Sequence, residues 1–147
     1  MSDLQEKSAL IRKISENELL QFLGVKIVEA SAENVCLEME VTPKVHQYLG
    51  IMNGGVSLYL AETAASIGVV FGSDLEKVSP VGVEINANHL RAVSRGKITV
   101  KAAPIFPGRT VSVWQIEIFN DRGKLICLSR CTVLLQKRPA KRADNLQ

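Results

Sequence analysis

Eighteen consecutive residues, Gly54 to Phe71, carry one charge between them, on Glu62. Val56, Leu58, Leu60, Ala61, Ala64, Ala65, Ile67, Val69 and Val70 leave this segment almost no polar face. A helix that is apolar all round belongs in the middle of a core, so the rest of the chain has to wrap it.

The remaining segments supply the wrapping. Leu10, Ile11, Ile14, Leu19, Leu20 and Leu23 recur at helical spacing before Gly24, which is a natural stop. Ser15 with Glu18 is read as a capping box for the second of two short helices. Val25, Ile27 and Val28 begin a hairpin, which turns at 30–34 and continues through Val35, Leu37, Met39 and Val41 in alternation with Cys36, Glu38 and Glu40. After the long helix come four strand-like runs: Val81 to Leu90, Lys97 to Ile105, Val111 to Phe119 and Lys124 to Leu135. Pro107-Gly108-Arg109 and Asn120-Asp121-Arg122-Gly123 are turn sequences of the kind that join antiparallel strands. The order is helices, two strands, buried helix, four strands, an α+β chain with a curved antiparallel sheet around one long helix. We divide it into an N-terminal helical segment (1–23), one folded domain (24–136) and a disordered basic tail (137–147).

A chain of 147 residues buries enough surface for one core without a disulfide or metal. Its net charge of +3 is too small for a nucleic-acid footprint. Cys36, Cys127 and Cys131 lack C-x-x-C spacing, so neither a disulfide framework nor a zinc site is indicated, and a reducing, cytoplasmic setting is expected. The first residues lack a signal-peptide pattern, and the expectation is a protein without nucleic-acid or membrane partners.

Glu62 is the sharpest chemical signal. A carboxylate taken from water without a partner costs several kcal/mol or is neutralised through a raised pKa, which makes such positions candidates for function. The plain structural alternative is a Glu that reaches a subunit edge and meets water or an Arg there. Upstream, Asn53 is a good N-cap, and Gly54 and Gly55 leave backbone N–H groups unshielded at a positive helix end, suited to polarising a carbonyl. Close packing of two glycines explains the same residues without chemistry. Ser66 lies one turn after Glu62, where it either orients a water or bonds its own backbone. His89 alternates in register with Val83, Ile85 and Ala87, and a partly buried structural histidine is the default reading. No G-x-S-x-G, P-loop, G-x-G-x-x-G or H-E-x-x-H pattern is present.

The runs His46-Gln47-Tyr48-Leu49-Gly50-Ile51-Met52-Asn53-Gly54-Gly55 and Ala61-Glu62-Thr63-Ala64-Ala65-Ser66 carry a family pattern. With Gly82 to His89 and Trp114 to Phe119, the chain resembles the hotdog thioesterases of the phenylacetate-degradation and 4-hydroxybenzoyl-CoA type, most of all the 1,4-dihydroxy-2-naphthoyl-CoA thioesterases. The resemblance spans about Leu19 to Leu135. It implies a hotdog fold and hydrolysis of aromatic acyl-CoA to acid and CoA. It further implies Gly54 (with Gly55) as the thioester-binding amide, and Glu62 as nucleophile or general base supplied across a dimer interface. Gln47, Ser66 and His89 are implied to hold the thioester or the water. The family usually has His before the two glycines, and Asn53 in its place donates a hydrogen bond but carries no proton.

The partners expected are an acyl-CoA or acyl-carrier-protein thioester and further copies of the chain, as a homodimer assembling to a homotetramer. No metal is expected, and no cofactor beyond the coenzyme A of the substrate. Arg91, Arg95, Lys97 and Arg109 are candidates to meet its phosphates, or equally a solvated strand face. A hotdog hydratase, which needs His89 and Glu62 at one carbon, and a non-catalytic acyl-CoA binding domain are the alternatives.

Overall fold

The computed structural model describes residues 3–139. Helix α1 (Asp3–Ser15) and helix α2 (Glu18–Leu23) lead into strands β1 (Lys26–Ala30) and β2 (Val35–Val41). A 3₁₀ turn (Pro43–Val45) precedes the long helix α3 (Gly54–Phe71), and strands β3 (Val78–His89), β4 (Gly96–Pro107), β5 (Val111–Phe119) and β6 (Leu125–Lys137) follow. All six strands form one antiparallel sheet in the order β1-β2-β4-β5-β6-β3.

Helix α3 lies against this sheet, as its lack of a polar face requires, and Leu60, Ala61, Ala64 and Ala65 are fully buried. Alanines and Gly68 let the helix axis approach the strands closely, and Trp114 of β5 fills the space over Gly68. Alternation in β2 and β5 sends Leu37, Met39, Trp114, Ile116 and Ile118 inward and leaves charged residues on the outer face. α3 is the helix among the described residues that is long and apolar enough to cross a membrane, and the surrounding sheet is what its apolar surface meets.

Four local expectations change. The second helix is capped by Asn17, whose Oδ1 accepts from the Leu19 and Leu20 amides at 3.1 Å, and not by Ser15, which ends α1. Asn is at least as good an N-cap as Ser, and α1 leaves only Glu16 and Asn17 between the two helices. Strand β3 begins at Val78 and runs through Pro80, because it is the sheet's edge strand and a proline there leaves no ladder donor missing. Strand β4 absorbs Pro104 at a bulge opposite β5. Finally, Lys137 closes β6, and Arg138 donates its backbone N–H to the Lys77 carbonyl and Nε to Ser79 Oγ at 2.9 Å each, so the start of the expected tail is ordered. Residues 140–147 of that tail lie outside the described residues.

Candidate active site

Asn53 sets the entry to α3. Its backbone is extended (φ −65°, ψ 131°), its N–H donates to the Val45 carbonyl at 2.7 Å, and its Oδ1 accepts from the Gly55 N–H at 2.8 Å. The cap therefore occupies the second glycine amide and leaves that of Gly54 without a partner among the described residues. A free N–H at the positive end of an eighteen-residue helix is a strong donor for an oxygen that gains negative charge.

His89, at the end of β3, lies directly over this point. A Cβ added to Gly54 would come within 2.8 Å of His89 Nε2 and 3.1 Å of Cε1, so the glycine is what lets the ring approach the helix start. His89 is itself exposed in the single chain, not the partly buried histidine of the default reading. Gln47, Gly54, Ser57, His89 and Arg91 line one cavity of about 320 Å³. Within it Gln47 is folded back on its own turn, its Oε1 accepting from the Leu49 amide.

Glu62 lies elsewhere. It is half-buried, and among the described residues its carboxylate has neither a hydrogen-bond donor nor a cation as partner. With Ser66 one turn on, it lines a second cavity of about 530 Å³, walled by Tyr59, Thr63, Ile67 and Val70 of α3 and roofed by Leu10, Lys13 and Ile14 of α1 with Asn17 and Leu20. Beneath the carboxylate is Gly82 of β3. The adjacent Cys131 thiol is pushed up to about 11, first by burial and then by the charges of Glu62 and Glu84, so it stays a neutral packing group.

Geometry thus separates the expected site into two halves. Gly54 and Glu62 are eight residues apart on one helix, about 12 Å along its axis. Along β3, Gly82 under Glu62 and His89 over Gly54 are roughly 20 Å apart. Within one chain, then, no single carbonyl reaches both the Gly54 amide and Glu62, and the Glu62–His89 pairing a hydratase needs does not form.

The basic candidates also divide. Arg91 lines the Gly54 cavity, its Nη1 donating to the Leu125 carbonyl at 2.6 Å. Lys97 is paired with Glu38 at 2.8 Å on the sheet, and Arg109 lines a cavity at the other end of α3 with Gly72 and Trp114. Sequence reading missed Gly82, Tyr59 and the α1 residues of the Glu62 cavity; only the register of β3 and the packing of α1 bring them to it.

The family model described as the thioesterase superfamily matches residues 49–127, which include Asn53, Gly54, Glu62 and His89. A 1,4-dihydroxy-2-naphthoyl-CoA hydrolase from Listeria monocytogenes is 41% identical over 82% of the chain and 97% of its own length. A hydrolase of the same name from Escherichia coli is 33% identical over 85% of the chain and 91% of its own. Among solved structures, a thioesterase from Haemophilus influenzae superposes with a TM-score of 0.79 at 38% identity, covering 85% of this chain and 87% of its own.

Proposed function

Because the chain belongs to the thioesterase superfamily and is a hotdog enzyme that hydrolyses acyl-CoA thioesters, we propose that its substrates are aromatic acyl-CoAs, cleaved at a site shared by two copies. One copy supplies Glu62 and the cavity beside it; the other supplies Gly54, with Gln47 and His89 around the thioester. The observation that carries this reading is the half-buried Glu62 carboxylate, unpartnered among the described residues and open to a largely apolar cavity. Two relatives named as hydrolases of 1,4-dihydroxy-2-naphthoyl-CoA favour an aromatic acyl group. So does the apolar part of the cavity beside Glu62, where Tyr59, Ile14, Ile67 and Val70 offer one aromatic and three aliphatic side chains to an acyl group.

In this mechanism the thioester oxygen accepts from the Gly54 N–H, and Glu62 either attacks the carbonyl carbon or takes a proton from the attacking water. The C–S bond breaks as the tetrahedral intermediate collapses, and CoA leaves as thiolate. When Glu62 is the nucleophile, water then cleaves the acyl anhydride and regenerates the carboxylate. Ser66 shares the Glu62 cavity, which supports its holding that water. Asn53 holds the helix start and takes no part in proton transfer. Arg91, which lines the Gly54 cavity, is the residue assigned to a CoA phosphate.

Two copies are supported by the split between the half-sites and by β3, a twelve-residue edge strand exposing Val81 and Val83. An uncovered apolar edge is a template for pairing with another chain. Assembly of such dimers into a homotetramer belongs to the same proposal and rests on the family resemblance. A cytoplasmic location is favoured by three free thiols, two of them buried.

The substrate class is tested by free-thiol release across a panel of benzoyl-, hydroxybenzoyl- and naphthoyl-CoA against straight-chain acyl-CoAs of similar size. The aromatic members are expected to show kcat/KM higher by about tenfold or more, some 1.4 kcal/mol of transition-state binding. Preference for the straight chains rejects the aromatic assignment.

A further inference from the structure

Gly82 has no backbone reason to be glycine. The described glycines with positive φ are Gly24, Gly50, Gly96 and Gly123, and Gly82 is not among them. Its reason is space: a Cβ built on Gly82 would collide with Glu62 Oε1 and stand 3.2 Å from Cδ and 3.6 Å from Cγ. The colliding group is thus the carboxylate itself, its oxygen first and its carbon next, with only the Cγ methylene of its own stem behind.

The strand is shaped around the same point. Gly82 pairs with Val133 and Glu84 with Thr132, so Val83 is an extra residue on β3 and the strand bulges beside the carboxylate. Bulges bend a strand and redirect what lies on it. Here the bulge and the missing side chain together give the carboxylate a seat against the free edge of the sheet.

We propose that Gly82 is a positioning residue for thioester hydrolysis, holding the Glu62 carboxylate in its reactive placement by leaving vacant the volume a side chain would fill. The proposal rests on Glu62 being the hydrolytic carboxylate. It has an unusual energetic signature, because what a Cβ meets is the far end of a flexible side chain and not backbone. Rotation of Glu62 relieves the collision at small cost in stability, whereas its displacement by about 1 Å costs on the order of a hundredfold in rate.

The test uses the full-length protein and compares Gly82→Ala, Glu62→Asp and the double variant by thermal melting and steady-state CoA release. Gly82→Ala is expected to melt close to wild type, with kcat reduced by roughly ten- to a hundredfold and KM little changed. Glu62→Asp is slow because its carboxylate is withdrawn by one methylene, and so clears the new methyl. The double variant should therefore be no slower than Glu62→Asp alone. Wild-type kcat in Gly82→Ala, or losses that multiply in the double variant, overturns the proposal. If Gly82→Ala fails to fold, Glu62→Ala in the same chain should restore folding, and failure to restore it is equally contrary. An active Glu62→Gln enzyme would remove the premise, whereas an inactive one beside a fully active Gly82→Ala removes this inference alone.

Discussion

Glu62→Gln should give a protein that melts at or slightly above the wild-type temperature and releases CoA about a thousandfold more slowly, a loss near 4 kcal/mol in transition-state stabilisation. The amide keeps the size and rotamers of the carboxylate, so it still fits over Gly82 and between Tyr59 and Ser66. It can neither attack a thioester carbon nor accept a proton from water. Stability is expected to hold or rise because the native carboxylate is half-buried without a partner among the described residues, and a neutral group removes that desolvation cost. Steady-state CoA release and a melting curve on one preparation check both halves. A variant that loses activity only by losing its fold would leave Glu62 as a packing residue.

Gly68→Ala should be the most damaging small substitution in the helix. A Cβ at this position would overlap the Trp114 ring, standing 2.6 Å from Cζ3 and 2.7 Å from Cζ2. The ring cannot yield: it is 1% exposed, packed between α3 and β5, and its Nε1 donates to the buried Ser112 Oγ at 2.8 Å. Overpacking of this kind costs about 3 kcal/mol or more, which lowers the melting temperature by roughly 10 °C in a domain of this size. Trp114→Phe in the same chain makes room, and the double variant should lose less than the sum of the two. The contrast with Gly82→Ala is instructive, since one glycine faces a locked indole and the other a mobile carboxylate end.

Much of this arrangement is legible in the residues. The apolar run with one charge predicts a buried helix over Gly54 to Phe71, and the helix has those limits. The turn sequences at 107–109 and 120–123 predict the β4–β5 and β5–β6 hairpins, because turn chemistry is local. Partners of distant strands are not local, and nothing in the sequence shows that β3 pairs with β6 and ends the sheet. That pairing decides the surroundings of Glu62. Its neighbours in sequence are apolar, which suggests a deeply buried acid, yet with no further strand beyond β3 among the described residues the carboxylate is only half-buried. Bulges at Val83 and near Pro104 add single residues that no periodicity reveals. The same is true of α1, whose apolar stripe predicts a helix but not that Leu10 and Ile14 roof the cavity beside Glu62.

A site split between two copies makes a strong demand on mixtures. Glu62→Gln chains keep a competent Gly54, and Gly54→Ala chains, in which the new methyl is 2.8 Å from His89 Nε2, keep a competent Glu62. Each variant alone should be nearly inactive. When they are co-expressed in equal amounts, half of the dimers are mixed and each of these has one intact site, so about a quarter of wild-type activity should return. Activity no higher than that of the two variants separately would show that Glu62 and Gly54 act within one chain or not together at all, and would contradict the account.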